Sequence, residues 1–324
     1  MKELEIKAND AGQRLDRFVK KVAPLLPSSL LQRYIRIKRI KVNGKRAQNA
    51  DALRVGDVVS LYVNDEFFPP EEAKEYPFLA ARGEVHVVYE DENLMLADKE
   101  PGLVVHEDDG GEADTLIARI QKYLFEKGEY DPAKEASFAP ALCNRIDRNT
   151  GGIVIAAKNA ASLRVLNELI RERLIRKQYL CIVHGSLTPE AGTLRGYLQK
   201  DEKNNRVVVY DRPHEGARTA VTRYRVLKDG GRFSLVEVDL LTGRTHQIRA
   251  QMAHAGHPLL GDTKYGTAKQ NAGTGYRFQA LWSYRLTFDA GERAEHLAYL
   301  NGRTFTVENV PFIADFDRLC GIGK

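Results

Sequence analysis

N-R-I-D-R-N-T-G-G-I-V-I-A-A, residues 144–157, is the stretch on which the reading of this chain turns. Its last five residues form an apolar run of strand length, and the Thr150-Gly151-Gly152 turn in front marks where a buried strand begins. Just ahead of that turn one acid, Asp147, stands between Arg145 and Arg148. Nearby cations favour the charged form of a carboxylate, so Asp147 is a candidate nucleophile. A structural ion pair in a polar loop is the competing explanation.

Working outward, the segment before this stretch alternates short apolar strands with turns from Glu84 to His106, with Pro101-Gly102 as a strong turn signal. Asp114 to Phe125 has the period of a short amphipathic helix through Leu116, Ile117, Ile120 and Leu124. After it, Leu163, Leu166, Leu169 and Ile170 mark a second helix, and R-K-Q-Y-L-C-I-V-H-G returns to strand. From Gly192 the pattern is mostly short strands, interrupted by a helix from His246 to Ala255. Strands that follow one another with few crossover helices predict an α+β fold with a mixed, largely antiparallel sheet.

The 324 residues are enough for two domains. From Gln13 to Val63 there are twelve Lys or Arg against three acids, although the whole chain nets only +5. The basic charge therefore belongs to one small module, where cations on a helix face suit phosphate contacts. That module is expected over residues 1–63 as two helices, with Ser28 or Ser29 capping the second, followed by strands around an Asn-Gly turn. Residues 64–83 carry three prolines and five acids without a period and read as a linker to a second domain over 84–324.

A composition of 43% apolar and 29% charged residues is that of an ordinary globular protein. No apolar run is long enough to span a bilayer and the first residues lack the apolar core of a secretory signal, so a cytoplasmic protein with no membrane partner is expected. Cys143, Cys181 and Cys320 are scattered, with no C-x-x-C pair, and are expected as reduced thiols. Cys143 adjoins the central stretch but is followed by Asn144, which supplies no base to activate it.

Two resemblances add to this. R-L-D-R-F, Q-R-Y-I-R-I-K-R-I-K-V-N-G and V-G-D-V-V in the basic module resemble the S4 RNA-binding domain. The motif beginning at Glu84, N-R-I-D-R-N-T-G-G, R-K-Q-Y-L-C-I-V-H-G and T-G-R-T-H-Q-I-R-A-Q-M-A-H-A-G-H-P-L-L-G-D-T-K-Y-G resemble, in order, the motifs of the RluA-type pseudouridine synthases. With an S4-like module in front, the arrangement is similar to the ribosomal large-subunit members of that family, the RluC and RluD type. The resemblance implies an isomerase that turns uridine into its C-linked isomer, with Asp147 as the catalytic acid, Arg249 as its paired cation, Tyr179 against the target base and Arg145 on the RNA side. It implies large-subunit ribosomal RNA as partner, no cofactor, no required protein partner and a monomer. Arg33, Arg36, Lys38, Arg39 and Lys41 are the expected RNA contacts of the S4-like module. The chain departs from the family pattern at Asn144, where His is usual, at Ile146 for Leu and at Gly151 for a small hydroxyl residue.

His246, His254, His257 and Asp262 gather within seventeen residues and raise the question of a metal. Their spacing does not put the three imidazoles on one helix face, so no metal site is expected. The rival from another class is a non-catalytic RNA-binding or ribosome-assembly factor that keeps the second domain as a docking surface. The Gly-rich, basic segment after Tyr265 is either a loop over the RNA or a solvated connection.

Overall fold

The computed structural model describes residues 1–69, 76–107 and 111–322. The amino-terminal part runs β1 (Lys2–Glu5), α1 (Leu15–Val22), α2 (Ser28–Arg36), β2 (Ile40–Val42), β3 (Lys45–Arg46) and β4 (Val58–Leu61). Its four strands pair in the order β1-β4-β2-β3, antiparallel throughout. Leu15, Phe18 and Val19 of α1 and Leu31, Tyr34 and Ile35 of α2 are buried against Ile40, Val59 and Leu61. The period of 3.6 read from the sequence is thus the period of burial. One detail differs: Ser28 is the first helical residue and Pro27 the N-cap, with no side-chain cap bond. The fixed φ of proline starts this helix in place of a serine hydroxyl.

The rest of the chain contributes β5 (His86–Glu90), β6 (Leu94–Lys99), α3 (Leu116–Glu126), β7 (Ala141–Leu142), β8 (Gly151–Ala157), α4 (Ala160–Arg171) and β9 (Ile175–His184). It continues through β10 (Ala191–Asp201), β11 (Arg206–Tyr210), β12 (Arg218–Asp229), β13 (Phe233–Leu240) and α5 (Gln247–His254). The last elements are α6 (Ala268–Asn271), β14 (Leu281–Phe288), β15 (Thr304–Thr306) and α7 (Pro311–Cys320). Among the described residues eleven strands form one sheet, in the order β11-β10-β12-β13-β9-β14-β8-β6-β5, with β15 on β14 and β7 on β8. The β14–β8 pair is parallel and the other strand pairs among the described residues are antiparallel, which is the mixed, largely antiparallel α+β architecture.

Both faces of the sheet centre are apolar, and alternation along each strand divides its residues between two cores. Ile153 and Ile155 of β8 and Leu180 and Ile182 of β9 pack with Leu166 and Leu169 of α4 and Phe312 and Phe316 of α7. Val154, Ala156, Tyr179, Cys181 and Val183 point the other way, to Ile120 and Leu124 of α3 and Ile248 and Met252 of α5. Ile146, from the loop 144–150, is buried in this second core. The loop carrying Asp147 is therefore anchored on the face that α3 and α5 cover.

Of the expected linker 64–83, residues 70–75 lie outside the described residues. On its flanks Phe68 packs into the amino-terminal core and Phe78 against Ala118 of α3. Hydrogen bonds join the two parts: Gln13 Nε2 donates to Ser137 Oγ at 2.7 Å, Ser137 to Asp10 Oδ1 at 2.6 Å, and Arg164 Nη1 to the Ala11 carbonyl at 2.9 Å.

The start of β8 tolerates no side chain. A Cβ on Gly151 would lie 2.3 Å from the Trp282 ring, and one on Gly152, whose φ is +112°, would lie 2.3 Å from the Ser283 carbonyl oxygen. Trp282 itself is held by Nε1 donating to Asp98 at 2.9 Å. Gly152→Ala is expected to destabilise the fold by about 3 kcal/mol, since it adds overpacking to a strained φ. Urea denaturation at constant m-value checks this; a loss under about 1 kcal/mol would mean that β14 yields easily.

Candidate active site

Asp147 lies on a loop that is tied down on both sides. Asn144 Oδ1 accepts the Ile155 amide at 2.8 Å, and the Thr150 amide donates to the Asp147 carbonyl at 3.0 Å. Gln279 Nε2 donates to Thr150 Oγ1 at 3.1 Å. Behind the loop, Lys99 is 1% exposed and its Nζ donates to the carbonyls of Glu100, Leu103 and Arg148 at 2.8, 2.8 and 2.7 Å. Burial pushes the Lys99 ammonium down to about 7, against the pull of Asp147. Three carbonyl acceptors match the three donors of an ammonium, which is the form that satisfies them all. Arg148, whose side chain pairs with Glu112 at 2.9 Å, serves the loop through its backbone, because the Gly102 amide bonds to the same carbonyl at 2.9 Å.

The partner of the acid comes from α5. Arg249 Nη1 donates to Asp147 Oδ2 at 2.9 Å, while its Nε and Nη2 grip Asp262 at 2.7 and 3.0 Å. Asp262 is fully buried and also accepts the amides of Lys264 and Tyr265 at 2.9 and 3.1 Å. Burial works to raise its carboxyl, but Arg249 and the two amides hold it below the usual carboxylate range. Burial likewise opposes the Arg249 charge, and the two carboxylates overcome it and raise the guanidinium. Asp147 keeps 27% of its side chain exposed, facing the cleft.

That cleft, about 880 Å³, also holds Arg145 and Tyr179. Tyr179 is buried to 6% exposure, and burial pushes its phenol up to about 12, with the Ser283 hydroxyl pulling down and Asp147 pushing up. It stays protonated at neutral pH and offers a ring face and an O–H together. The described lining carries Arg145, Arg171, Arg173, Arg176, Lys177, Arg223, Arg244 and Arg249 against two acids, Asp147 and Asp239, a surface suited to a polyanion. Four of the residues singled out from the sequence, Asp147, Tyr179, Arg249 and Arg145, thus share one cleft. Arg33, Arg36, Lys38, Arg39 and Lys41 do not line it; the first four are exposed on the amino-terminal part and Lys41 is half-buried.

Cys143 lies in the cleft wall, but burial pushes its thiol up to about 12, which removes it as a nucleophile at neutral pH. The histidines separate: His254 bonds Asp211 and His257 bonds the His184 carbonyl, each at 2.9 Å. Among the described residues no group of three or more His, Cys, Asp or Glu could hold a metal. His246 stays at the site, its Nδ1 2.9 Å from Tyr265 Oη and its Nε2 3.8 Å from Asp147 Oδ2. The segment after Tyr265 is tethered, with Asn271 accepting the Gly261 amide and donating to the Asp262 carbonyl. Sequence reasoning does not place Lys99 or Tyr265 here; it sets a metal aside for Asp262 and His246 and reads them as loop and helix-end hydrogen-bonding residues, which they are. A lone lysine ending the apolar strand L-M-L-A-D-K is the available signal for Lys99.

A partly open carboxylate is held by a buried guanidinium at the base of a cationic cleft, an arrangement suited to an anionic polymer. The family model for RNA pseudouridylate synthases matches residues 93–254. The chain is 33% identical to an uncharacterised RNA pseudouridine synthase of Chlorobaculum parvum, over 82% of this chain and 79% of that one. It is 32% identical to the ribosomal large subunit pseudouridine synthase C of Vibrio cholerae, over 84% and 82% of the two chains. The fold is similar to that of human RNA pseudouridylate synthase domain containing 4, at a TM-score of 0.56 and 21% identity, covering 73% of this chain and 93% of that one. The chain belongs to the RNA pseudouridylate synthase family, and its activity is isomerisation of uridine in RNA.

Burial pushes the His246 imidazole down to about 4, against Asp147 and with Arg249. Below an ordinary value of 6.5 the unfolded chain takes up a proton that folded His246 refuses until about pH 4. This residue therefore removes stability as pH falls through that window, on the order of 3 kcal/mol at full effect. In His246→Gln the stability lost between pH 6.5 and 4 is expected to shrink by that amount in urea titrations. An unchanged pH slope would show that the imidazole is protonated in the fold.

Proposed function

We propose that this chain converts uridine to pseudouridine in large-subunit ribosomal RNA, with Asp147 as the nucleophile. The observation that carries the reading is the Asp147–Arg249–Asp262 chain of charge-assisted hydrogen bonds opening into the cationic cleft. Relatives described as ribosomal large subunit pseudouridine synthase C in Vibrio cholerae and Salmonella typhimurium support the substrate class.

The isomerisation breaks the N1–C1′ bond, turns the uracil and joins C5 to C1′; C5 gives up a proton and N1 gains one. No electrons enter, so an ionised carboxylate at C1′ supplies the chemistry without a cofactor. Arg249 aims that carboxylate through a charge-assisted hydrogen bond. Tyr179 lies against the uracil, and Arg145 at the cleft rim meets the RNA beside the displaced base. Extruding a base costs roughly a few kcal/mol, which phosphate contacts offset. The S4-like arm, residues 1–63, contributes such contacts through Arg33, Arg36, Lys38, Arg39 and Lys41, and the enzyme works as a cytoplasmic monomer.

Asp147→Asn is expected to fold and bind RNA as the unaltered chain does while losing about 10³-fold or more in turnover. The assay uses unmodified large-subunit rRNA transcribed in vitro, with carbodiimide mapping of converted uridines. An unaltered chain that binds this RNA and converts no uridine would instead be a non-catalytic RNA-binding factor.

Replacing Arg33, Arg36, Lys38, Arg39 and Lys41 together by Gln is expected to weaken RNA binding and leave turnover at saturating RNA unchanged. The slope of log affinity on log salt shrinks by about 0.7 for each phosphate that the arm no longer neutralises. An unchanged slope would remove the arm as an RNA anchor.

A further inference from the structure

His246 occupies its place at a cost. It is the N-cap of α5 with φ 51° and ψ 20°, the left-handed region that glycine enters freely and that costs a residue with a Cβ some strain. Such positions cluster where a side chain is needed for function. What the imidazole offers follows from its hydrogen bonds. Tyr265 Oη accepts the Val207 amide at 2.8 Å and lies 2.9 Å from His246 Nδ1, to which its own O–H can donate. In a neutral imidazole the remaining proton is then on Nε2. The Tyr265 ring is itself held edge-on to the imidazole, with the guanidinium groups of Arg206 and Arg249 over it at 5.2 and 5.3 Å from its centre.

The Nε2–H therefore faces Asp147 Oδ2, the oxygen that Arg249 also holds, from 3.8 Å. That is too long for a hydrogen bond between them, yet one hydroxyl oxygen can sit within about 2.8 Å of both. If Asp147 acts at C1′, the acceptors next to that carbon are O4′, the 2′-hydroxyl and uracil O2. O4′ gives up electron density as the glycosidic bond breaks, so a donor there would oppose the reaction, and O2 turns away with the base. The 2′-hydroxyl is a donor as well as an acceptor and can bridge imidazole and carboxylate.

We propose that His246 is a specificity-determining residue whose Nε2–H binds the 2′-hydroxyl of the target ribose, with Tyr265 fixing the tautomer that allows it. The proposal rests on the reading of Asp147 as nucleophile. It makes the active centre a discriminator of RNA from DNA.

The test is a cycle between protein and substrate. The uridine converted by the unaltered chain in the transcript assay is placed in a synthetic oligoribonucleotide, made in parallel with a single 2′-deoxy residue at that position. On the all-ribose oligonucleotide His246→Ala and Tyr265→Phe are each expected to lower kcat/KM, the first by about tenfold. On the 2′-deoxy oligonucleotide neither is expected to cost more than about twofold, because the hydroxyl that they serve is already missing. Equal fractional losses on both oligonucleotides would overturn the proposal while leaving Asp147 in its role. Should His246→Ala fail to fold by thermal melting, Tyr265→Phe and His246→Gln complete the cycle on the same criterion. Failure of the unaltered chain to convert any uridine would defeat the reading of the site, and this proposal with it.

Discussion

A guanidinium buried between two carboxylates is the constraint from which the rest of this site follows. Arg249 has 8% of its side chain exposed, so its charge has to be met by protein groups. Asp262 takes the Nε and Nη2 edge in a two-point grip and is itself steadied by two backbone amides. This leaves the Nη1 direction for Asp147. A lysine could neutralise the acid but could not also take the two-point grip on Asp262 that fixes the direction of the bond to Asp147. The loop 259–265 thereby aims a carboxylate that belongs to a distant part of the chain.

The same logic explains the floor beneath Asp147. Its loop leaves β7 and enters β8 where β14 and β6 press from either side, so the backbone there needs partners that are not strands. Lys99 supplies them by gathering three carbonyls, and the two glycines let Trp282 and Ser283 come close. The acid is left with one open face, toward a cleft whose cations come mainly from the α4–β9 turn and the strands beside it. Rigidity is built from below and attraction from the sides.

Much of the fold was legible because its signals are local. The apolar run Ile153–Ala157 is a strand with both faces buried, and the 3.6 period in α1, α3 and α4 is the period of their cores. Arg249 was found through resemblance and not through spacing, since nothing local links residues 102 positions apart. Lys99, Tyr265 and the true use of Asp262 stayed hidden for the same reason: each acts through a bond to a backbone or side chain that is close only after folding. Ser28 misled because a serine at a helix start is a common cap, whereas here the preceding proline begins the turn. His246 is visible as a residue, but its left-handed backbone and its contact with Tyr265 exist only in three dimensions.

The parallel contact between β8 and β14 bears on the order in which a ribosome delivers this chain. Asp147 emerges early, but the wall behind it, Trp282 and Ser283, and the tether from Gln279 to Thr150 come some 130 residues later. Pairings so distant in sequence form last, because the intervening chain must be closed before they repay its entropy. A nascent chain halted before β14 carries the acid without the framework that aims it. The surroundings of Asp147 are thus complete only once β14 has been made.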